Sequence, residues 1–565
     1  MRRGVLEKLA TAWPWAVSPS QSLDRSLAFL GWSVDADQLL AASYTLAAAI
    51  VTMLPLAMLL VPAGSESLAV IMLLALAVGV IFAARDGPQF LARVRRTRAL
   101  GDAPTLLTYA TVRMRLAPVP ERAARFAGTA VDSPLGESLS GHANRSRGTP
   151  KTGFDGFARE WSEWFPAVER GCSLLESAGT ASEDRRAALL DRARSAVLAG
   201  TRDRMASFAS SVRGPATGIY AFGVFLPLAL VSLLPALRAA GISTPITVLV
   251  ALYNVVLPAV LIGATAWLLA RRPMAFPPPD VDRSHPDVPE TALLPLGAGL
   301  LVGVGAWIVA SRMLLPWTAP VAALGAGVGT SLCLAYRPMV AVRREIESVE
   351  DGLGDALAMI GRQVAGGRAV EMAIDTVAQE NDGATADVLA TAAGHQRRLG
   401  VDLEQALLGA DGVLKDLPSD RLRGAGAMLA MAAREGAPAG DAMVSLSSHF
   451  DELDALERET RRSVESVTST LSNTAAVFGP LVGGVTVALA SAMGGPGPFA
   501  GAGDVSGLGL VVGLYVLALA VILTVLTTGL SQGLDRALAG YRSGIALLAA
   551  TATYLTAVFA GTLVV

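Results

Sequence analysis

Lysine is nearly missing from this sequence: Lys8, Lys151 and Lys415 are the only three among 46 basic residues, and the rest are arginine. Cysteine and histidine are as scarce. Cys172 and Cys333 lie far apart, and His142, His285, His395 and His449 show no ligand spacing, so neither a disulfide framework nor a metal site is expected. No Gly-Lys dipeptide occurs, which argues against the phosphate-binding loop in which backbone amides and a lysine cradle a nucleotide. The nearest lookalike, Gly148-Thr149-Pro150-Lys151-Thr152, has proline where an amide donor belongs. The first twenty residues have no continuous apolar core followed by a small-residue cleavage site, so a cleaved signal peptide is not expected. Aromatic residues make up only 5% of the chain, yet 52% of it is hydrophobic, an excess supplied by Ala, Leu and Val. That is the composition of a membrane protein. A net charge of -2 gives no sign of a nucleic-acid partner.

A helix needs roughly 20 apolar residues to cross a hydrocarbon core with every backbone amide satisfied. Nine runs qualify: Leu39–Val61, Leu68–Ala84, Pro215–Leu237, Thr244–Ala270, Thr291–Ala310, Trp317–Tyr336, Ala475–Met493, Leu508–Leu530 and Ile545–Val565. None contains an ionisable side chain of Asp, Glu, Lys, Arg or His. A cytoplasmic N-terminus and an outer C-terminus put 44 of the 46 basic residues on inner segments, leaving Arg238 and Arg312 outside, as the preference for positive inner loops requires.

The chain also repeats itself. Leu100-Gly101-Asp102-Ala103 recurs as Leu353-Gly354-Asp355-Ala356, and Phe225-Leu226-Pro227-Leu228 recurs as Phe478-Gly479-Pro480-Leu481, both displaced by 253 residues. The same displacement lays the fifth and sixth runs over the first and second, and the seventh over the third. The expected protein is therefore all-α and polytopic, a parallel internal duplication with nine transmembrane helices and two cytoplasmic helical modules. Its parts are an N-terminal segment (1–38), spans at 39–84, a first module (85–214), spans at 215–270, a Pro-rich linker (271–290), spans at 291–336, a second module (337–474), spans at 475–530, a short loop (531–544) and a ninth span (545–565). The linker lacks periodicity and is too rich in proline to hold a helix.

Within the second module Leu353, Ala356, Leu357 and Ile360 mark one helical face, Gly366-Gly367 breaks it, and no alternating pattern competes. From Asp441 onward Leu446, Phe450, Leu453, Leu456, Thr460, Val464, Val467 and Leu471 step by threes and fours with no breaker before the seventh run. A continuous helix to Ala475 would rise roughly 50 Å and join cytoplasm to membrane as one rod. The stripe serves either a bundle core or a dimer seam and lever. In the first module Ala103–Arg115 and Ala187–Ser210 read as helices around a polar interruption, Asp132–Gly153, expected to be a flexible loop. The first module carries 21 basic and 14 acidic residues, the second 14 and 23, so the two attract each other or face partners of opposite sign.

Catalytic patterns fail on inspection. Gly501-Ala502-Gly503-Asp504 matches the string of intramembrane aspartyl peptidases, but no span holds the second carboxylate that such chemistry needs. Gly325, Gly327 and Gly329 sit inside a span, where close helix packing is the natural use, as for Gly297, Gly299, Gly303, Gly305, Gly483 and Gly484. Spans without ionisable groups also argue against an ion-coupled carrier.

The duplicated unit resembles the type II secretion system F domain of platform proteins in type IV pili, archaella and related machines. The likeness rests on a module opening with Leu353–Ala356, the Gly-Gly break, a helix with Glu371 and Ala373, and a long helix entering a span at Phe478-Gly479-Pro480-Leu481; the segment Ala475–Thr486 is similar to the archaeal branch. The resemblance covers most of the chain from Leu39 onward and is weakest in the first module. It implies a plasma-membrane platform with no catalytic residues or cofactor, on which a hexameric cytoplasmic secretion ATPase docks and moves pilin-like subunits between membrane and filament. A homo-oligomer, a dimer first, and membrane lipid are the other partners it implies. Asp355, Glu371, Arg458, Arg461 and Arg462 are the candidate contacts for the ATPase or for module assembly. Gly479 and Pro480 are the candidate bend, because Pro480 removes an intrahelical bond at the membrane entrance. The competing expectation is a secondary transporter of two parallel repeats, with Tyr220, Tyr253, Asn254 and Tyr515 around a midplane cavity.

Overall fold

The computed structural model describes residues 3–55, 66–149, 152–239, 245–273, 281, 283, 285–289, 293–436, 438–493, 505–533 and 535–564. Every regular element among them is helical. Two short helices, α1 (Arg3–Thr11) and α2 (Gln21–Leu30), precede α3 (Ala36–Thr52) and α4 (Glu66–Ala99). A 3₁₀ turn, Leu100–Asp102, then leads into α5 (Ala103–Leu116), α6 (Pro120–Ala130), α7 (Pro134–Arg145), α8 (Gly153–Trp161), α9 (Pro166–Gly179) and the long α10 (Glu183–Tyr220). A π segment, Ala221–Phe225, joins α10 to α11 (Leu226–Ala239), and a second, Ala251–Val256, joins α12 (Ile246–Val250) to α13 (Leu257–Leu269).

The later half follows the same order. α14 (Leu293–Met313) and α15 (Ala319–Asp351) are followed by α16 (Leu353–Ala365), α17 (Val370–Glu380), α18 (Ala384–Leu399), α19 (Leu403–Leu408), α20 (Asp420–Glu435) and α21 (Pro438–Asn473). A third π segment, Thr474–Phe478, leads to α22 (Gly479–Met493), and α23 (Val505–Gln532) and α24 (Arg536–Val564) complete the chain.

Among the described residues eight of these helical runs are long and apolar enough to cross a membrane, and they overlap the second to ninth apolar runs of the sequence. The first run, Leu39–Val61, extends beyond the described residues; its described part includes most of α3, a 17-residue apolar helix. Glycine decides several of the close helix contacts. A Cβ at Gly303 would lie 3.0 Å from the Ala323 carbonyl, and one at Gly329 would lie 3.0 Å from the Gly544 carbonyl, so these helices approach backbone to backbone. Gly297 and Gly305 have nothing within that reach and are not packing positions.

Two expected boundaries need correction. Residues 132–153, expected to be a flexible loop, contain helix α7, whose Leu135, Leu139 and Ala143 fall at four-residue intervals and are buried. Ser133 caps it by accepting from the Gly136 amide, and Pro134 starts it, so short polar residues between the apolar ones disguised a helix as a loop. The loop expected at 531–544 is largely helical, because α23 runs to Gln532 and α24 begins at Arg536 rather than Ile545. Asp535 supplies the cap, its Oδ1 accepting from the amides of Ala537 (2.7 Å) and Leu538 (3.1 Å).

The polar helices of both halves share one hydrophobic core, which runs from Ala99, Leu106 and Val197 to Ile346, Met428 and Phe450. The linker joins it: Val281 and Val288 are buried in that core, and His285 bonds the Asp416 carbonyl at 2.8 Å. The α21 stripe faces inward; Leu446, Phe450 and Leu453 are fully buried, as nearly are Val464 and Leu471. Part of what covers it is α10 of the same chain, where Met205 packs on Leu456 and its sulfur accepts from Thr460 Oγ1 at 3.3 Å. The seam is thus occupied within one polypeptide, by a helix running parallel to α21.

Because the core is continuous, truncating Phe450 to Ala should cost about 3–5 kcal/mol and unfold both sets of polar helices together. Thermal unfolding followed by limited proteolysis checks this: cleavage sites in 103–197 and 353–450 should become accessible in one transition.

Candidate coupling site between head and membrane

Proline shapes the apolar helices. Each of the three π segments ends two residues before a proline: Phe225 before Pro227, Val256 before Pro258, and Phe478 before Pro480. Proline has no amide to give the carbonyl four residues back, and its ring crowds that carbonyl, so the helix widens locally. The freed carbonyl needs a new donor, since lipid offers none. For Pro227 it is that of Gly223, which accepts from the Tyr515 hydroxyl. For Pro480 it is that of Ala476, which accepts from Thr553 Oγ1 at 3.4 Å. Tyr253 donates to the Pro227 carbonyl at 2.7 Å, and the Tyr253 and Tyr515 rings meet edge to face at 5.4 Å. Gly479 and Pro480, the expected bend, directly follow the third π segment, which is tied by a side chain of the last helix.

Just outside the apolar runs, charged groups tie the head to the span ends. Arg343 on α15, with its side chain 7% exposed, pairs with Asp535, which is equally buried, and with Glu347 at 2.8 Å. One carboxylate thus both caps α24 and anchors α15. Arg272 at the end of the α13 span donates to the carbonyls of Leu530 (2.9 Å) and Ser531 (3.3 Å), covering the last turn of α23. Burial pushes its pKa down to about 10, with Glu457 opposing that shift and Arg461 adding to it, so α21 lies within electrostatic reach.

A second polar layer lies between the two halves. Arg194 approaches Glu452 at 3.7 Å, Arg202 meets Glu459 at 3.0 Å, and Arg423 meets Asp132 at 3.1 Å. Two of these three pairs take arginine from the first half and an acid from the second, in line with the charge imbalance. Deeper in, Asp102 is 6% exposed; burial and the nearby Asp420 carboxylate raise its pKa to about 7, against the Ser133 hydrogen bond and Arg98. His449 is fully buried with no hydrogen-bond partner at either ring nitrogen, and burial together with Arg194 and Arg421 lowers its pKa to about 3, keeping it neutral.

The five residues singled out as partner contacts are all exposed. Asp355 and Glu371 lie in the first turns of α16 and α17. Arg458, Arg461 and Arg462 lie on α21, where Arg458 Nε donates to the Asp454 carbonyl at 3.2 Å and Arg461 pairs with Glu457 at 3.3 Å. They do not converge on one cavity. Sequence reading missed the Arg343–Asp535 pair and the Asp102–Asp420 pair, since their members are 192 and 318 positions apart. The signal that was present is Asp535 itself, an N-cap residue directly before an apolar run. Among the described residues, no group of three or more His, Cys, Asp or Glu side chains is placed to hold a metal ion.

No protein-family model matches the chain, and no curated protein or solved structure is detectably similar to it.

Two outcomes follow. Replacing Asp535 with Asn leaves Arg343 with Glu347 as its one anionic partner among the described residues and should cost about 2–3 kcal/mol, part of which the Arg343→Met/Asp535→Asn double variant recovers; unfolding in detergent measures both. Asp102 binds its proton more tightly folded than unfolded, so its contribution is fully present below about pH 4, the unfolded value. It is lost as pH rises through about 7. Asp102→Asn should therefore flatten the decline in melting temperature between pH 4 and pH 7.

Proposed function

We propose that this chain is the non-catalytic platform of an archaeal type IV pilus-like or archaellum machine, built from two copies of the type II secretion system F domain. On this reading it sits in the plasma membrane with its N-terminus cytoplasmic and its C-terminus outside, and the shared helical head faces the cytoplasm. A hexameric secretion ATPase docks on the head, and the platform moves pilin-like subunits into or out of a filament.

The observation that carries the reading is mechanical. α10 and α21 each leave the head, pass through a π segment and continue into the membrane, and those segments, Ala221–Phe225 and Thr474–Phe478, are displaced by the same 253 residues as the sequence repeat. The boundaries of α4 and α15 agree with that displacement to within one residue. A rigid head joined twice to the spans transmits movement, and the buried Arg343–Asp535 pair at a span end resists slippage between them. Duplication also supplies within one chain the parallel pairing that a dimer would otherwise provide. The transporter reading is weakened because Tyr253 and Tyr515, its candidate solute groups, spend their hydroxyls on backbone carbonyls.

Co-sedimentation of membranes with the secretion ATPase tests the docking surface. Either Asp355→Lys with Glu371→Lys, or Arg458→Glu with Arg461→Glu and Arg462→Glu, should weaken binding at least about tenfold, a loss near 1.4 kcal/mol, without changing the unfolding temperature. Unchanged binding in both sets, or solute flux by the purified chain alone, sinks the proposal.

A further inference from the structure

Residues 3–17 lie ahead of the repeated unit and, with the start of α3, form a small site of their own. α1 packs along α3, and Thr45 Oγ1 donates to the Leu9 carbonyl at 2.8 Å, which ties the two helices together. The connector that leaves α1 carries Trp13-Pro14-Trp15. Proline fixes one backbone angle between the two indoles and biases Trp13 towards extended backbone. Val17, at the far end of the connector, packs on the cluster of Leu23, Leu27, Ala36 and Leu40. Both ends of the connector are therefore held, and the indoles are placed before any ligand arrives.

Between α1, the connector and the first turns of α3 lies a cavity of about 350 Å³. The Trp13 and Trp15 rings meet at 67° with centroids 4.9 Å apart, so they form two walls of a corner rather than a stack, and Trp13 is backed by Tyr44 at 5.3 Å. Trp15 is 67% exposed, so most of that ring is open to a ligand. Glu7 on α1 and Asp37 on α3 also line the cavity, and among the described residues its lining includes no lysine or arginine. A corner of two indoles with two carboxylates has the electrostatics of a cation site, because the ring faces are negative and the carboxylates add full charge. Carboxylates alone accept any cation, whereas aromatic faces favour a large, weakly hydrated one over sodium or a metal ion.

We propose that this corner binds one quaternary ammonium group, with Trp13 and Trp15 against its methyl groups and Glu7 and Asp37 balancing its charge. Asp37 lies in the first turn of α3, just before the apolar run that starts at Leu39, so both a lipid headgroup and a free amine in water have access to it. Indoles that served only as an interfacial anchor would lie among headgroups without needing one another, and a pair of carboxylates beside them would be repelled by an anionic membrane surface. The inference does not depend on the platform reading.

The test uses the full chain in nanodiscs of phosphatidylglycerol, a lipid with no ammonium group, and radiolabelled choline as the probe. Choline should bind saturably at one per chain, and at least about tenfold more tightly than the uncharged analogue in which carbon replaces its nitrogen. Trp15→Leu and the Glu7→Gln/Asp37→Asn pair should each weaken binding at least about tenfold, while Trp32→Leu, which removes an exposed indole outside the cavity, leaves it unchanged. Melting temperatures show that each variant is folded; Glu7 and Asp37 are both exposed, so the carboxylate pair keeps the test decisive if Trp15→Leu unfolds. Phosphatidylcholine mixed into the nanodisc should displace choline if a headgroup is the natural occupant, and no displacement assigns the site to a free amine. Equal affinity for the uncharged analogue, or unchanged choline binding in both cavity variants, overturns the proposal.

Discussion

Two helices that pass from water into lipid without ending set the terms for the rest of this molecule. A helix that continues through the interface keeps its backbone hydrogen bonds within itself, so the only places it can yield are those where a proline withholds an amide. Pro227 and Pro480 create such places where α10 and α21 continue into apolar helices. The freed carbonyls of Gly223 and Ala476 then depend on donors from distant helices, Tyr515 and Thr553. The points of give are also the points at which the spans are tied to one another.

Above the membrane the same economy of elements produces one head rather than two. Neither set of polar helices covers the stripe on α21 alone; α10, from the other half, contributes Met205 to it. The joint between halves is part apolar and part ionic, and its buried members differ in what they favour. Phe450 and Leu446 hold the halves together at any pH, whereas Asp102 beside Asp420 favours the protonated form and weakens the joint as pH rises from about 4 to about 7. The Arg343–Asp535 pair does another task, fixing α15 to the start of α24, and its value lies in geometry more than in net stabilisation.

Helix type and most of the apolar runs were legible in the sequence because they rest on local properties: hydrophobic length, the absence of charge, and the 253-residue recurrence of Leu-Gly-Asp-Ala and Phe-x-Pro-Leu. The proline that follows the third π segment was legible for the same reason, since a proline acts on its own helix. The start of α24 and the helix at Pro134–Arg145 were not. In both, the signal was a single capping residue, Asp535 or Ser133, set against a polar composition that reads as loop.

By itself the sequence determined that this chain is helical and that several of its helices are long and apolar enough to cross a membrane, because both follow from residue type and spacing along the chain. Only the tertiary structure decided that the polar helices share a core, that Arg343 finds Asp535, and that Asp102 and His449 lie buried between the halves. Those facts depend on which residues meet across hundreds of positions. The reason is physical: periodicity tells a helix which face to hide, but not which of several apolar faces will hide it.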